Sequence, residues 1–144
     1  MKFFTLLFLI PFAIHCEEAS KILGKWRTID DKTGKETSIV EIKLEGENIV
    51  GFINQIFNAS DSGKGKLCEK CKGEMHNKRE LGMKIIRDMR ATNGEWFESG
   101  FILDPKNGTE YRCKIRLHSN DKELEVRGFI GLALIGRSQI WKRD

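Results

Sequence analysis

Proline is scarce in this chain, 2 in 144 residues, which excludes a proline-rich linker or low-complexity tract. Charge of one sign is scarce too. Twenty-five Lys and Arg stand against 21 Asp and Glu, and a surplus of +4 is far from the dense basic stripe of a nucleic-acid binder. Catalytic motifs are missing: there is no Gly-x-Ser-x-Gly, no phosphate loop and no His-Glu-x-x-His. After residue 16 the only histidines are His76 and His118, and neither sits in a nucleophile motif. These gaps lead us to expect a protein that is not an enzyme, with no cofactor, no metal and no nucleic-acid partner. A hydrophobic content of 40% also makes the chain too apolar to be a disordered tail.

What is present begins at the N-terminus. Lys2 precedes an apolar run from Phe3 to Ile14, followed by His15, Cys16, Glu17 and Glu18. That run is too short to span a bilayer and has the length of a secretory signal's apolar region. Residues 1–16 are therefore expected to be a signal peptide, leaving one domain at 17–144. Two endings remain open. Cleavage after Cys16 gives plain export, to the periplasm or outside the cell. Alternatively Cys16 becomes a lipidated first residue, the chain's only membrane attachment, although His15 departs from the small residue such signals carry. No second apolar stretch of that length follows, so the remainder is expected to be soluble or surface-anchored. Its size suffices for burying about two thirds of the unfolded surface in its own core.

Beyond Ile22 the apolar residues recur mostly with period two, the mark of strands. In Thr109–His118, Tyr111, Cys113, Ile115 and Leu117 share one face, and Arg112, Lys114, Arg116 and His118 share the other. The run from Glu123 repeats the pattern with Leu124 and Val126 inward. Facing Leu117 with Leu124 also faces Ile115 with Val126, Arg116 with Glu125 and His118 with Glu123. Only Lys114 opposite Arg127 is repulsive. Further strands are predicted at Gly24–Ile29, Thr37–Leu44, Asn48–Ile56, Met83–Met89, Trp96–Leu103 and Ser138–Lys142, separated by turn residues such as Asp104-Pro105-Lys106-Asn107-Gly108. The fold class is all-β: eight antiparallel strands in an up-and-down barrel, closed because closure removes the sticky edges. A barrel of eight is either filled by side chains or holds one small ligand.

Two stretches interrupt the meander. Asn58–Glu80 is long, polar and rich in Lys and Arg, and Gly128–Gly136 is apolar with three glycines and reads as a bulged strand end or buried turn. Cys68 and Cys71 lie in the first. In an exported chain this spacing reads as a local disulfide, whose small ring stiffens the loop more than it stabilises the fold. A redox pair would need a thioredoxin-like βαβ unit, and zinc would need four ligands with only His76 near. Cys113 is either an inert core thiol or a partner for one of the pair. His118 reads as a surface partner of Glu123. Glu98 is the one carboxylate sharing parity with Trp96 and Ile102.

Several ordered elements resemble the bacterial domain-of-unknown-function family 2147. They are Gly24-Lys25-Trp26, then Ile29-Asp30-Asp31-Lys32-Thr33-Gly34-Lys35, Cys68-x-x-Cys71-Lys72-Gly73, Gly82, and Trp96 with Gly100. Asp104-Pro105 with Gly108 and Tyr111, Leu124-x-Val126-Arg127-Gly128 and Gly136-Arg137-Ser138-Gln139-x-Trp141 complete the set, which covers Ile22 to Arg143. The resemblance implies an exported, lipocalin-like (calycin-like) barrel without an established activity. Gly24-x-Trp26 is similar to the opening motif of lipocalins, in which a late Arg packs across the Trp. That assigns structural roles to Gly24, Trp26, Trp141 and either Arg137 or Arg143. The expected function is a monomeric module that binds a small apolar ligand, lined by Trp96, Ile102, Tyr111, Ile115 and Val126. The competing expectations are a solidly packed structural or interaction protein of the envelope and a thiol-redox protein using Cys68 and Cys71.

Overall fold

Alternation of apolar and polar residues turns one face of the strands inward, and tight turns set most consecutive strands side by side. The computed structural model describes residues 12–57, 65–132 and 135–144, with side chains from residue 17 onward. Its elements are helix α1 (Phe12–Ile22) and strands β1 (Gly24–Ile29), β2 (Glu36–Glu45), β3 (Asn48–Ile56), β4 (Lys84–Met89), β5 (Trp96–Asp104), β6 (Thr109–Leu117), β7 (Glu123–Phe129) and β8 (Gly136–Arg143). The strands pair antiparallel in chain order, and β8 returns to β1 through Trp26↔Arg143 and Arg27↔Lys142, closing a barrel. The predicted bounds of β1 and β3 are met, and the other strands differ from prediction by one or two residues at an end.

The β6–β7 register is the predicted one, with Leu117↔Leu124, Ile115↔Val126 and Arg116↔Glu125 paired. Lys114 does stand opposite Arg127, but the two charges are drawn apart. Lys114 Nζ lies 4.1 Å from the Trp96 ring centroid, and Arg127 reaches Ser138 Oγ at 3.3 Å. The His118 backbone pairs with Glu123 (N–H to O, 2.9 Å), whereas its imidazole Nε2 lies 3.6 Å from Glu125, so the side-chain partner is Glu125 and not Glu123. A rung displaced by two residues stays on the same face of a pleated sheet, which puts Glu125 within reach.

One end of the barrel is closed by residues that precede the first strand. Helix α1 crosses the boundary expected for cleavage, and its Ala19 and Ile22 are buried in the core. Trp26, fully buried at the start of β1, donates from Nε1 to the Ile22 carbonyl at 2.9 Å. Arg143 lies 4.2 Å above the Trp26 ring and donates to the carbonyls of Lys21 (2.7 Å) and Leu23 (3.2 Å). The last carbonyls of a helix lack partners within it and carry partial negative charge, so a guanidinium is a fitting cap. Gly24, at φ +111°, makes the turn from helix to strand that a side chain would strain. Of the two candidates for the late arginine, Arg143 takes the place. Arg137 pairs with Asp31 at the opposite end. The side chain of Cys16 and the segment 1–11 lie outside what is described.

Candidate functional site: a cavity at the open end of the barrel

The end opposite α1 carries the β1–β2, β5–β6 and β7–β8 turns and residues 65–83 of the long connection between β3 and β4. Here the core stops short and leaves a cavity of about 550 Å³. Its wall is apolar where strand residues point inward: Ile53, Ile85, Ile102, Val126 and Trp141. Polar groups enter from three places. Thr28 continues the inward face begun by Trp26, and its hydroxyl lies 2.7 Å from those of Thr37 and Ser38 on β2. Tyr111 accepts from Asn107 Nδ2 at 2.9 Å. Glu80, 5% exposed, also lines the cavity and pairs with Lys66 at 3.0 Å.

Residues 65–83 form a strap folded over one side of this opening. Leu67 bridges Arg79, Cys68 N–H donates to the Lys78 carbonyl at 2.8 Å, and Glu80 N–H donates to the Lys66 carbonyl at 2.9 Å. Cys68 and Cys71 form a disulfide, and both are buried. The ring they close sits directly on the β5–β6 turn. The Cys68 sulfur lies 3.5 Å from the Pro105 carbonyl oxygen, and a Cβ built on Gly108 would fall 1.8 Å from the Lys70 carbonyl oxygen. Gly108 is at φ +71°, so only glycine suits both its conformation and this approach. The strap thus carries Lys66 and Glu80 to the cavity and is itself held by the turn that supplies Lys106 and Asn107 to the same wall.

Charges at the rim are matched in pairs. Lys106 reaches Asp30 at 3.3 Å, Arg137 pairs with Asp31, and Lys66 pairs with Glu80. The Thr33 backbone N–H foremost, then the Lys106 ammonium, hold the Asp30 carboxyl down at about 2. Beside this rim the apolar β7–β8 turn is exposed: Ile130, Leu132 and Ile135 are 63%, 72% and 71% exposed. This corrects the expectation of a buried turn there. Ile130 and Ile135 face the cavity mouth, where the barrel has no further strand to cover them.

Of the five expected lining residues, Ile102, Tyr111 and Val126 come together in the wall. Ile115 is fully buried in the packed part of the core and does not line the cavity. Trp96 is the correction. It lies at the other end, half-buried, with Lys114 and Arg116 over its ring at 4.1 and 4.6 Å, beside a more polar groove of about 420 Å³. A bulge explains the change. Phe97 pairs Ile115 and Gly100 pairs Cys113, so three steps on β5 match two on β6, with Ser99 at φ +63°. One extra residue inverts the parity. Phe97 points in, Trp96 points out, and Glu98 is exposed, its backbone bonded to that of Arg90.

Trp141, expected to be structural, is buried and lines the cavity as well, with Nε1 donating to Gln139 at 3.1 Å. Arg137 contributes to the rim. Cys113 is buried, unpaired, and its thiol is pushed up to about 12 by desolvation, so it is inert at neutral pH. Thr28 was legible from the alternation that starts at Trp26. Glu80 was not: it belongs to no strand, and its burial depends on where the strap lands.

A closed eight-stranded antiparallel barrel with one end sealed over a buried Trp and one end open on a cavity defines the lipocalin-like class. The chain belongs to the bacterial family described as uncharacterized protein conserved in bacteria (DUF2147), whose model matches residues 24–143. No curated protein matches it. Among solved structures it is similar in fold to protein HP1028 from the human pathogen Helicobacter pylori, which is described as belonging to the lipocalin family. The TM-score is 0.73 at 18% identity, covering 85% of this chain and 82% of that one. The disulfide and the bacterial family are consistent with an exported protein.

Proposed function

We propose that this protein is an exported, non-enzymatic carrier that holds one small, largely apolar molecule in the open end of its barrel. The observation that carries the reading is the cavity itself. About 550 Å³ lies within the ordinary range of small-molecule sites, and its wall is mostly apolar with a few convergent polar groups. A solidly packed structural barrel would have no such space. The buried Cys68–Cys71 disulfide and the inert Cys113 favour storage over thiol chemistry. In this reading residues 1–16 direct export, with Cys16 as the membrane anchor where it is lipidated, and the barrel from residue 17 on acts as a monomer in the periplasm or outside the cell.

The test is uptake of N-phenyl-1-naphthylamine, a neutral apolar fluorophore, by the wild-type chain and by Gly128→Val. Gly128 lines the cavity, and a Cβ there would meet Tyr111 and Ile102 at 3.5 and 3.6 Å, ordinary contacts that fill space without a clash. Saturable uptake at one site, reduced about tenfold or more in a Gly128→Val chain that melts no lower than wild type, is the expected result. Absence of uptake by the wild-type chain would overturn the reading.

A further inference from the structure

The cavity is unevenly satisfied, and the imbalance says what kind of molecule it takes. Most polar groups in its wall already have partners. The hydroxyls of Thr28, Thr37 and Ser38 bond to one another, Asn107 bonds to Tyr111, and Asp30 accepts from Lys106 and from the backbone N–H groups of Lys32 and Thr33. Glu80 differs. Its side chain is 6% exposed, its Oε2 takes a single ammonium donor from Lys66, and its Oε1 has no hydrogen-bond partner among the described residues. A carboxylate offers about four acceptor positions, so this oxygen, without a protein donor, is open to one that enters the cavity. Lys66 is itself 45% exposed on a flexible stem, so it can withdraw to solvent when another donor arrives.

The cations offer no comparable opening for an anion. Lys66, Lys106 and Arg137 each face a carboxylate, and Lys32, the other cation at the rim, is exposed to water. Resting on the carrier reading, the geometry points to a head-group subsite at Glu80: the cavity selects amphiphiles with an apolar tail and a hydrogen-bond-donating head, a primary ammonium above all. The tail lies along Ile53, Ile85, Ile102 and Val126, and the head takes the place of Lys66 on the Glu80 carboxylate. An anionic head of equal length meets Glu80 as a like charge.

Displacement of N-phenyl-1-naphthylamine by dodecylamine and by dodecanoate, in the full chain, tests this. Wild type should bind the amine at least tenfold tighter than the acid. Glu80→Gln should bring the ratio of amine to acid affinity to about one, and Lys66→Gln, which removes the internal competitor, should tighten amine binding. Equal binding of amine and acid by wild type overturns the subsite and leaves the carrier reading standing, as does an unchanged preference in Glu80→Gln. Should Glu80→Gln fail to fold, Lys66→Gln decides alone: tighter amine binding supports the subsite and weaker binding overturns it. A wild-type chain that takes up no fluorophore overturns the carrier reading and the subsite with it.

Discussion

Trp26 shows how much one side chain does when three elements converge on it. Its ring is fully buried between Arg143 and the core, and its indole N–H satisfies a helix-end carbonyl. Trp26→Ala removes that volume and leaves the Ile22 carbonyl unpaired, so urea unfolding should show a loss of about 3–5 kcal/mol. A loss below about 1 kcal/mol would contradict its place as the seal of the barrel, because core truncations of aromatics cost more than that. Asp30 is the titration to follow. Its folded value, about 2, lies below the ordinary 3.8, so its ionised form favours the folded state. That contribution is present above the unfolded value and is lost as pH falls through the folded one. A carboxyl NMR titration should give a midpoint near 2 for Asp30. A midpoint at the ordinary 3.8 would mean that Thr33 and Lys106 do not hold it.

At the scale of elements, the strap and the β5–β6 turn act as one piece. The Cys68–Cys71 ring is too short to remove much entropy from the unfolded chain, yet both sulfurs are buried and the ring abuts Gly108. Gly108→Ala must therefore push the strap away as well as strain a left-handed residue. We expect about 1–3 kcal/mol of destabilisation, the range for a residue held in a sparsely populated backbone conformation. Amide exchange should rise across residues 66–80, and the preference for the amine over the acid should weaken through displaced Glu80 and Lys66. Unchanged exchange in that segment would show that the strap does not depend on the turn. The β5 bulge makes the complementary point. Alternation counted through Trp96, Glu98 and Ile102 places all three on one face, but the extra residue at Ser99 divides them. A bulge leaves no mark on the apolar pattern strong enough to place it, so the parity of β5 was legible only from Gly100 onward.

Across the whole molecule the hydrogen-bonded ladder is uneven. β2–β3, β6–β7 and β7–β8 pair over long registers, whereas β4–β5 pairs through Ile86↔Ile102 and Arg87↔Phe101, and β1–β8 closes through two pairs. The β1–β8 seam is reinforced by Arg143 on Trp26 and by Arg27 to Asp144 at 2.7 Å; the β4–β5 seam is reinforced at the surface by Arg87 of β4, whose guanidinium lies 4.2 Å from the Phe101 ring of β5. Native-state hydrogen exchange should accordingly find β4 the least protected strand and β2, β6 and β7 the most protected. Equal protection throughout would mean that the barrel opens only as a unit.

Local chemistry determined the barrel. Period-two alternation set the strands, turn residues set their ends, and cross-strand pairing of Leu117 with Leu124 and Arg116 with Glu125 set a register, because each is a relation between residues close in sequence. The spacing of Cys68 and Cys71 pointed to their pairing, and the burial of Cys113 in the core leaves it out. The tertiary structure alone decided the site. Whether an eight-stranded barrel is full or hollow depends on how side chains from all strands meet at the axis, and here they stop short at one end. Which residues reach that space depends on contacts across the chain: Glu80 is buried because its strap rests on Gly108, and Trp96 is excluded because one bulge turns it outward. Those are long-range outcomes of packing, and no pattern within a strand encodes them.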